Sequence, residues 1–283
     1  VGIKYTLGAK MGTDTEQFEH SKVIIIWGGN SVGSNLHFWA RAQAAKRNGA
    51  VLIAIDPYRS LTAEKCQHHI PVLPGTDAAL ALGVMHILIR DDLLDHDYIK
   101  KYTHGFDQLK QRVAEWPPAK VATVCGIDVS QVELLGKIYG ETAKQGEAVA
   151  IRVNYGVPRA NGGGMAVRNI ACLPALVGAW RHPAGGILLS SGDCFPKNEQ
   201  KLARPDLYPK DLSNPARTIN MSTIGDDLLK KTSPEFGPAV EAVIVYNSNP
   251  VAVAPESSKV EQGFAREDLF TVVLEHFKTD TVD

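Results

Sequence analysis

The chain has 283 residues, which is enough for one large domain or two of ordinary size. With 44% hydrophobic and 22% charged residues, it has the composition of a globular protein with a sizeable core. Its net charge of −1 gives no electrostatic reason to expect nucleic acid or an anionic membrane as a partner. No apolar run reaches the roughly 18–20 residues that a membrane-spanning helix needs.

Short apolar runs that end in polar loops predict the strands of a parallel sheet that is buried on both faces. These runs cover residues 22–27, 50–55, 68–72, 148–153, 242–246 and 269–274. Helical patterns lie between them, at residues 34–48, 78–89, 95–102, 106–114, 130–143 and 165–180. This alternation predicts an α/β fold with two doubly wound, mostly parallel-sheet (Rossmann-like) domains, or one such domain followed by an incomplete second. We place the boundary near Gly156, between residues 1–155 and 156–283.

The sequence contains no clustered metal ligands. Its four cysteines are scattered, with no CxxC pair and no short cysteine–histidine spacing. Because iron–sulfur and structural zinc sites need clustered thiolates, we expect neither within this chain. His68 and His69 are neighbours on a predicted strand and point to opposite faces, which favours edge-strand histidines over a metal pair. We therefore predict no metal ligand and no catalytic residue in this chain.

The loops that follow the predicted strands form the candidate site, because open α/β sheets bind ligands beyond the carboxyl ends of their strands. The first strand is followed by Gly28-Gly29-Asn30-Ser31-Val32-Gly33, a dinucleotide fingerprint in which Asn30 replaces the middle glycine. This replacement weakens a nicotinamide or flavin interpretation, but it keeps backbone N–H groups and a helix start for a phosphate. A plain tight turn is the alternative interpretation of Gly28 and Asn30.

The next two strands also end in polar loops. The Asp56 carboxylate can accept both hydroxyls of a ribose, and Arg59 can bind phosphate or stack on a base. A strand-ending turn with a surface ion pair would explain these two residues equally well. In Pro74-Gly75-Thr76-Asp77, the carboxylate of Asp77 can cap the following helix or accept paired hydrogen bonds from a guanine edge. Spacing does not separate these two roles, and both can hold.

The second half of the chain places two polar residues in the same way. Asn249 follows one predicted strand and Glu275 follows the other. An asparagine amide both donates and accepts hydrogen bonds, which suits a pterin or guanine edge. Taken alone, these residues are a turn asparagine and a surface glutamate.

Together these segments resemble the molybdopterin-dinucleotide oxidoreductases of the dimethyl-sulfoxide reductase family. Single matches are weak, but matches in the family's order along the whole chain are specific. They are Tyr5-Thr6-Leu7-Gly8; Ile26-Trp27-Gly28-Gly29-Asn30 with Asn35 and His37; Ile55-Asp56-Pro57 with Arg59; Pro74-Gly75-Thr76-Asp77; Asn161-Gly162 with Arg168; Pro183 with Gly185-Gly186; Asn247 to Pro250; and Glu275-His276-Phe277 with Thr279.

The resemblance implies that a parent enzyme holds molybdenum or tungsten through two molybdopterin guanine dinucleotides, which lie end to end across two α/β domains. It assigns the first guanosine diphosphate to Gly28, Asn30, Asp56, Arg59, Gly75 and Asp77. It assigns Asn249 and Glu275, with Thr279, to the second.

The resemblance also implies parts of the parent that lie outside this sequence. The metal's serine, cysteine or selenocysteine ligand would precede Val1, together with an iron–sulfur domain, and a cofactor-clamping domain would follow. The parent would transfer an oxygen atom or a hydride to or from a small-molecule substrate, with an electron-transfer subunit as a further partner. We expect the isolated chain to be inactive. Val157-Pro158-Arg159 stands where formate-dehydrogenase relatives tend to carry a glutamine–histidine pair, which makes formate oxidation less expected.

Two alternatives remain at this stage. A non-catalytic assembly or binding subunit could keep the same fold, although such subunits can lose the ligand-facing loops that are intact here. An NAD-, FAD- or thiamine-dependent enzyme domain could have a similar sheet. The broken glycine fingerprint argues against this second alternative.

Overall fold

A computed structural model describes residues 2–10, 12–207 and 217–283 of the chain, without the side chain of Asp193. The chain forms two compact units, Val1–Lys197 and Asn198–Asp283. No helix among the described residues is long and apolar enough to cross a membrane.

The first unit is built on a five-stranded sheet in the order β3-β2-β1-β4-β5. All neighbouring strands are parallel. The strands are β1 Val23–Trp27, β2 Val51–Ile55, β3 His68–Ile70, β4 Val149–Val153 and β5 Gly186–Leu188. The parallel α/β fold predicted from the sequence is thereby confirmed. The three-residue strand β5 was not predicted, because so short an apolar run carries no periodic signal.

Ten α-helices accompany this sheet in the described part of the unit. They are α1 Gly2–Leu7, α2 Ser31–Ser34, α3 Leu36–Arg47, α4 Leu61–Lys65, α5 Asp77–Arg90, α6 His96–Tyr102, α7 Phe106–Ala114, α8 Pro118–Cys125, α9 Val129–Lys144 and α10 Gly163–Leu176. Short 3₁₀ turns cover Glu16–His20, Val157–Arg159, Ala179–Arg181 and Gly192–Cys194.

The sheet is buried on both faces, as continuous apolar strands require. One face packs Ile25, Trp27 and Ile151 against α5, α9 and α10 in the larger core. The other face packs Ile24 and Ile26 in a smaller core that includes residues of α3. Burying one such side chain contributes about 1.5–3 kcal/mol, so the alternating sides of each strand fix its register.

The connections reverse direction in the middle of this sheet. β1 leads to α3 in the smaller core, whereas β4 leads to α10 in the larger core on the opposite face. β1 and β4 are neighbours in the sheet. The two loops therefore diverge at a topological switch point, which is where open α/β sheets form their ligand crevice.

The second unit contains a two-stranded parallel sheet of β6 Ala242–Tyr246 and β7 Phe270–Leu274. Its helices are α11 Glu199–Ala203, α12 Ile224–Leu229, α13 Pro250–Val253 and α14 Ser257–Phe264, with 3₁₀ turns at Pro205–Leu207 and Met221–Thr223. One face of the sheet is open to solvent, with Ile244 71%, Tyr246 77% and Phe270 70% exposed. Both strands were predicted, but their exposure was not.

The compact units do not divide where the sequence suggested. We predicted a boundary near Gly156, whereas the first unit continues to Lys197. The reason is that β5 extends the first sheet beside β4, and α10 packs against α5. Whether the two units are the two predicted cofactor-binding domains stays a prediction.

Three helix predictions also need correction. The helix predicted at 34–48 is interrupted at Asn35, whose side chain accepts a hydrogen bond from the Phe38 backbone N–H at 3.3 Å and caps α3. The helix predicted at 165–180 ends at Leu176, before Gly178 adopts a positive φ of 63°. Helix α8 was missed, although Pro118 at its first position is a typical helix start.

Candidate functional site

The loop after β1 packs closely against the loop after β4. Gly28 has a φ of +66°, and a β-carbon there would lie 2.6 Å from Cγ2 of Val157. A β-carbon at Gly29 would lie 2.9 Å from the β-carbon of Asn154. Both positions therefore need glycine, because the two loops approach too closely at the switch point to leave room for a β-carbon. This contact explains Gly28 without a ligand and at the same time shapes the floor of the crevice.

Asn30 joins the loop after β1 to the helix that follows β2. Its Oδ1 accepts a hydrogen bond from the hydroxyl of Thr62 at 2.9 Å, and that hydroxyl in turn accepts from the backbone N–H of Val32 at 2.9 Å. The side-chain oxygen of Asn30 thus holds the start of α2 against α4. Its amide group has no hydrogen-bond partner among the described residues.

Asp56 shapes the loop after β2. Its Oδ1 accepts the backbone N–H of Tyr58 at 3.0 Å, and the ring Nε2 of His69 contacts its backbone oxygen at 2.8 Å. His69 therefore anchors this loop from the edge strand β3, in agreement with the structural role predicted for it. Arg59 is exposed and makes no ion pair within the described part of the chain. Its guanidinium is thus available to a ligand.

The side chain of Asp77 is buried, at 8% exposure, and bonds to the last residue of β1. Its Oδ1 accepts the indole N–H of Trp27 at 2.7 Å. We considered Asp77 as the helix cap, but Thr76 occupies the cap position and Asp77 is the first helical residue. The local sequence predicted a capped start here, but it could not show that the carboxylate turns toward β1.

Burial raises the pKa of the Asp77 carboxyl above its usual value, because a buried carboxylate loses its hydration. The Trp27 hydrogen bond opposes this shift, and the negative charge of Asp56 raises the pKa further. Asp77 contacts the last residue of β1, and Asp56 directly follows β2, the neighbouring strand. Gly75, with a φ of +85°, turns the chain just before Asp77, and a β-carbon there would lie 3.5 Å from that of Ala160 in the loop after β4.

The strand-end residues of the second unit form a separate cluster. Asn249 donates its amide to Asp280 at 2.9 Å and accepts from the hydroxyl of Thr281 at 2.8 Å. Glu275 accepts the backbone N–H of His276 at 2.7 Å. The hydroxyl of Thr279 is buried and has no hydrogen-bond partner among the residues that the structure describes. An unsatisfied buried hydroxyl beside a strand end is the kind of group that a ligand would satisfy.

These donors and acceptors fit a guanosine diphosphate group. Carboxylates at Asp56 and Asp77 can accept hydrogen bonds from hydroxyls and from a guanine edge, and Arg59 offers a cation for phosphate. No group of three or more histidine, cysteine, aspartate or glutamate residues in the described ranges could hold a metal ion. The predicted residues of the first unit lie at the carboxyl end of its sheet. Asn249 and Glu275 belong to the second unit.

Another cavity lies elsewhere in the first unit. It has a volume of about 920 Å³ and is lined by Tyr98, Tyr102, Phe106, Arg168, Cys172 and Trp180, among others. None of the predicted site residues lines it. We nevertheless place the candidate site at the strand ends. A nucleotide needs several polar groups that converge on it, and the volume of a cavity does not supply them.

Sequence reasoning missed one polar residue near the carboxyl end of the sheet. Arg152 lies inside β4 and is 9% exposed. The signal was present in the sequence, since a charged residue interrupts the apolar run 148–153.

Comparison with known proteins identifies the family of this chain. The model of the family described as molybdopterin oxidoreductase matches residues 3–283. "Probable oxidoreductase YoaE" of Bacillus subtilis is 40% identical over 280 residues, which are 99% of this chain and 39% of that protein. The F420-dependent formate dehydrogenase subunit alpha of Methanocaldococcus jannaschii is 27% identical, over 96% of this chain and 41% of its own length.

A solved structure is also similar. Acetylene hydratase from Pelobacter acetylenicus superposes with a TM-score of 0.55 at 27% identity, covering 62% of this chain and 23% of that one. The chain spans about two fifths of the length of the two curated relatives, 39% and 41%. Both the family model and these relatives extend over nearly the whole chain. The chain belongs to the molybdopterin oxidoreductase family.

Proposed function

We propose that this chain is the part of a molybdenum or tungsten oxidoreductase that binds molybdopterin guanine dinucleotide. One observation carries the proposal. The loops after β1 and β2 and the loop before α5 bring Asn30, Asp56 and Asp77 to one edge of a parallel sheet, beside its switch point. Family membership supports a molybdopterin cofactor, and this set of polar groups favours its guanine dinucleotide form.

Each residue has a stated role in this proposal. Asp77 accepts the N1–H and exocyclic amine of guanine through the lone pairs that the Trp27 indole leaves free. Asp56 accepts the ribose hydroxyls, and Arg59 binds phosphate. Gly28 and Gly75 shape the floor of the crevice through their positive φ angles. The amide of Asn30 donates to the nucleotide, while its oxygen stays bound to Thr62.

The second unit would hold the guanosine of a second cofactor molecule in a similar way. Asn249 and Glu275 lie at the carboxyl ends of the neighbouring strands β6 and β7. The buried hydroxyl of Thr279 supplies an unsatisfied group beside them. These three residues are assigned to the second nucleotide.

When bound, the metal and its pterins would supply the redox chemistry of the parent enzyme. The residues of this chain orient the nucleotide ends and provide compensating charge. The parent enzyme would act on a small-molecule substrate and pass electrons to an iron–sulfur cluster or a partner subunit. Substrate turnover by this chain alone, supplied with cofactor, would contradict its expected inactivity.

Nucleotide binding by the 283-residue chain tests the proposal. Titration calorimetry should show that guanosine diphosphate binds at least tenfold more tightly than adenosine diphosphate or NAD, because a site that hydrogen-bonds the guanine edge leaves unpaired groups with adenine. Equal affinity for the guanine and adenine nucleotides would contradict guanine recognition. Tighter binding of NAD would favour the nicotinamide alternative.

A further inference from the structure

The cavity of about 920 Å³ in the first unit lies between helices and does not belong to the strand-end site. Its walls come from the end of α1, from α6, from the start of α7 and from one side of α10. On α10 it is lined by Arg168, Cys172 and Leu176, which are spaced as one face of a helix. Sites for small molecules typically have volumes of about 300–1,000 Å³, so this cavity is large enough for one.

Aromatic rings form much of the lining. Tyr98 and Tyr102 lie one turn apart on α6, with their ring centres 4.8 Å apart and their planes tilted by 46°. Phe106 and Trp180 also line the cavity. Tyr102 is 67% exposed, so a ligand ring placed against it would remove apolar surface from water. The lining therefore favours a ligand with an aromatic body.

Arg168 gives the cavity a positive charge that the protein does not neutralise. It makes no hydrogen bond or ion pair with the residues that the structure describes. Burial raises the pKa of the neighbouring Cys172 thiol, and the charge of Arg168 opposes only part of that shift. The thiol therefore stays uncharged near neutral pH. His104 is the other basic residue of the lining, and no aspartate or glutamate of the described chain contributes to it.

This set of groups selects a carboxylate rather than a nucleotide. A guanine edge and a ribose are bound through acceptors such as carboxylates, which this lining lacks. A guanidinium binds a carboxylate through two parallel hydrogen bonds, and an arginine presents its donors in the fork that this requires. One unpaired arginine beside several aromatic rings matches a ligand in which one carboxylate is joined to an aromatic ring.

We propose that this cavity is a second ligand site of the first unit and binds an aromatic monocarboxylate. Arg168 binds the carboxylate, and the ligand ring packs against Tyr98, Tyr102 and Phe106. The inference goes beyond the function proposed above and does not depend on it, because none of the residues assigned to the guanine nucleotide lines the cavity.

Three compounds separate the charge from the ring in the 283-residue chain: 1-naphthylacetate, its neutral amide 1-naphthylacetamide, and acetate. Titration calorimetry should show that 1-naphthylacetate binds at least tenfold more tightly than the amide and that acetate does not bind detectably. Arg168→Gln should weaken 1-naphthylacetate about tenfold and leave the amide unchanged. Arg168→Lys, which keeps the charge, should recover part of the loss.

Arg47→Gln is the matched control for the charge. Arg47 is also an exposed arginine without an ion pair in the described part of the chain, but it ends α3, which packs on the opposite face of the sheet. It should leave the affinity for both naphthyl compounds unchanged. An equal loss in Arg47→Gln and Arg168→Gln would show a general effect of net charge and would overturn the inference.

Tyr102→Ala tests the aromatic wall. It should weaken both naphthyl compounds by the same factor, about three- to tenfold, and change the melting temperature little because the ring is exposed. Tyr246→Ala is its control, since Tyr246 is 77% exposed on the open sheet of the second unit, where an apolar compound could also bind. A loss in Tyr246→Ala but not in Tyr102→Ala would place the compound on that sheet and contradict the proposed site.

Guanosine diphosphate separates this inference from the proposed function. It should not compete with 1-naphthylacetate, and competition would contradict a separate site. If the chain binds neither naphthyl compound, or binds both equally, the inference is overturned whatever the result for guanosine diphosphate, and the cavity is left for a segment of the longer parent protein to cover. If it binds 1-naphthylacetate as expected but no guanosine diphosphate, only the nucleotide function fails.

Discussion

Both units of this chain have polar loops at the ends of their strands, but their sheets differ in the number of strands and in how far they are covered. In the first unit, five strands are covered on both faces and the loop after β1 is wedged against the loop after β4. In the second unit, two strands leave an apolar face open, and Asn249 is held by the turn that contains Asp280 and Thr281. The comparison teaches that a strand-end residue can be positioned by a whole sheet or by a few hydrogen bonds. Two pairs of substitutions test this difference, and a fifth substitution examines the first site alone.

The largest effect is expected in the cores. Ile25→Ala removes a fully buried side chain from the central strand of the first unit and should lower the free energy of unfolding by about 2–5 kcal/mol. Ile244→Ala makes the same chemical change in the second unit, where the side chain is exposed. It should cost about 0.5 kcal/mol or less. Urea unfolding measures both, and similar losses would contradict the difference in burial.

A smaller effect is expected from the asparagines at the strand ends. Asn249→Ala removes three hydrogen bonds to Asp280 and Thr281 and should cost about 1–3 kcal/mol. Asn30→Ala removes the bond to Thr62 and should cost about 0.5–1.5 kcal/mol, because close packing also holds its loop. Urea unfolding of the two variants provides the comparison. A larger cost at Asn30 would show that packing contributes little to the first site.

The smallest effect on stability, with a clear effect on binding, is expected for Asp77→Asn. The amide oxygen can still accept the Trp27 indole N–H, while the cost of burying a charge disappears. At pH 7 the variant should be as stable as the unsubstituted chain or more stable, and it should bind guanosine diphosphate about tenfold more weakly, a loss of about 1.4 kcal/mol. Calorimetry and thermal unfolding measure these two quantities.

The pH dependence of this variant follows from the raised pKa of Asp77. The folded chain holds the Asp77 proton more tightly than the unfolded chain, in which the pKa is about 3.9. Stability from this group is therefore full below the unfolded pKa and is lost as pH rises through the higher folded pKa. Thermal unfolding should show the advantage of Asp77→Asn growing over that range. An advantage that grows toward lower pH would contradict the burial of the charge.

The sequence predicted the sheet well because its strands are continuous apolar runs that end in polar loops. It also predicted which residues follow the strands, which is why Asp56 and Asp77 were identified. It could not predict where side chains turn. Asp77 bonds to Trp27, fifty positions away in the chain, and no local pattern records that contact. Arg152 was missed for a related reason, since strand periodicity does not reveal how a single buried charge is solvated.

The boundary between the units could not be predicted from the sequence either. The glycine-rich segment after Gly156 resembles a linker, but it leads into α10, which packs on α5, and then into β5, which completes the sheet. Composition indicates where a chain can bend. It does not indicate whether the next segment returns to the same core.

The hydrogen bond between the indole of Trp27 and the carboxylate of Asp77 also gives the protein an optical reporter. Indole emission responds to the electric field around the ring, and here a buried negative charge lies at its nitrogen. A guanine that shares this carboxylate would change that field and shift the fluorescence. Subtracting the spectrum of a Trp27→Phe variant would isolate the signal from those of the three other tryptophans. Occupancy of the first site could then be followed in real time without a label.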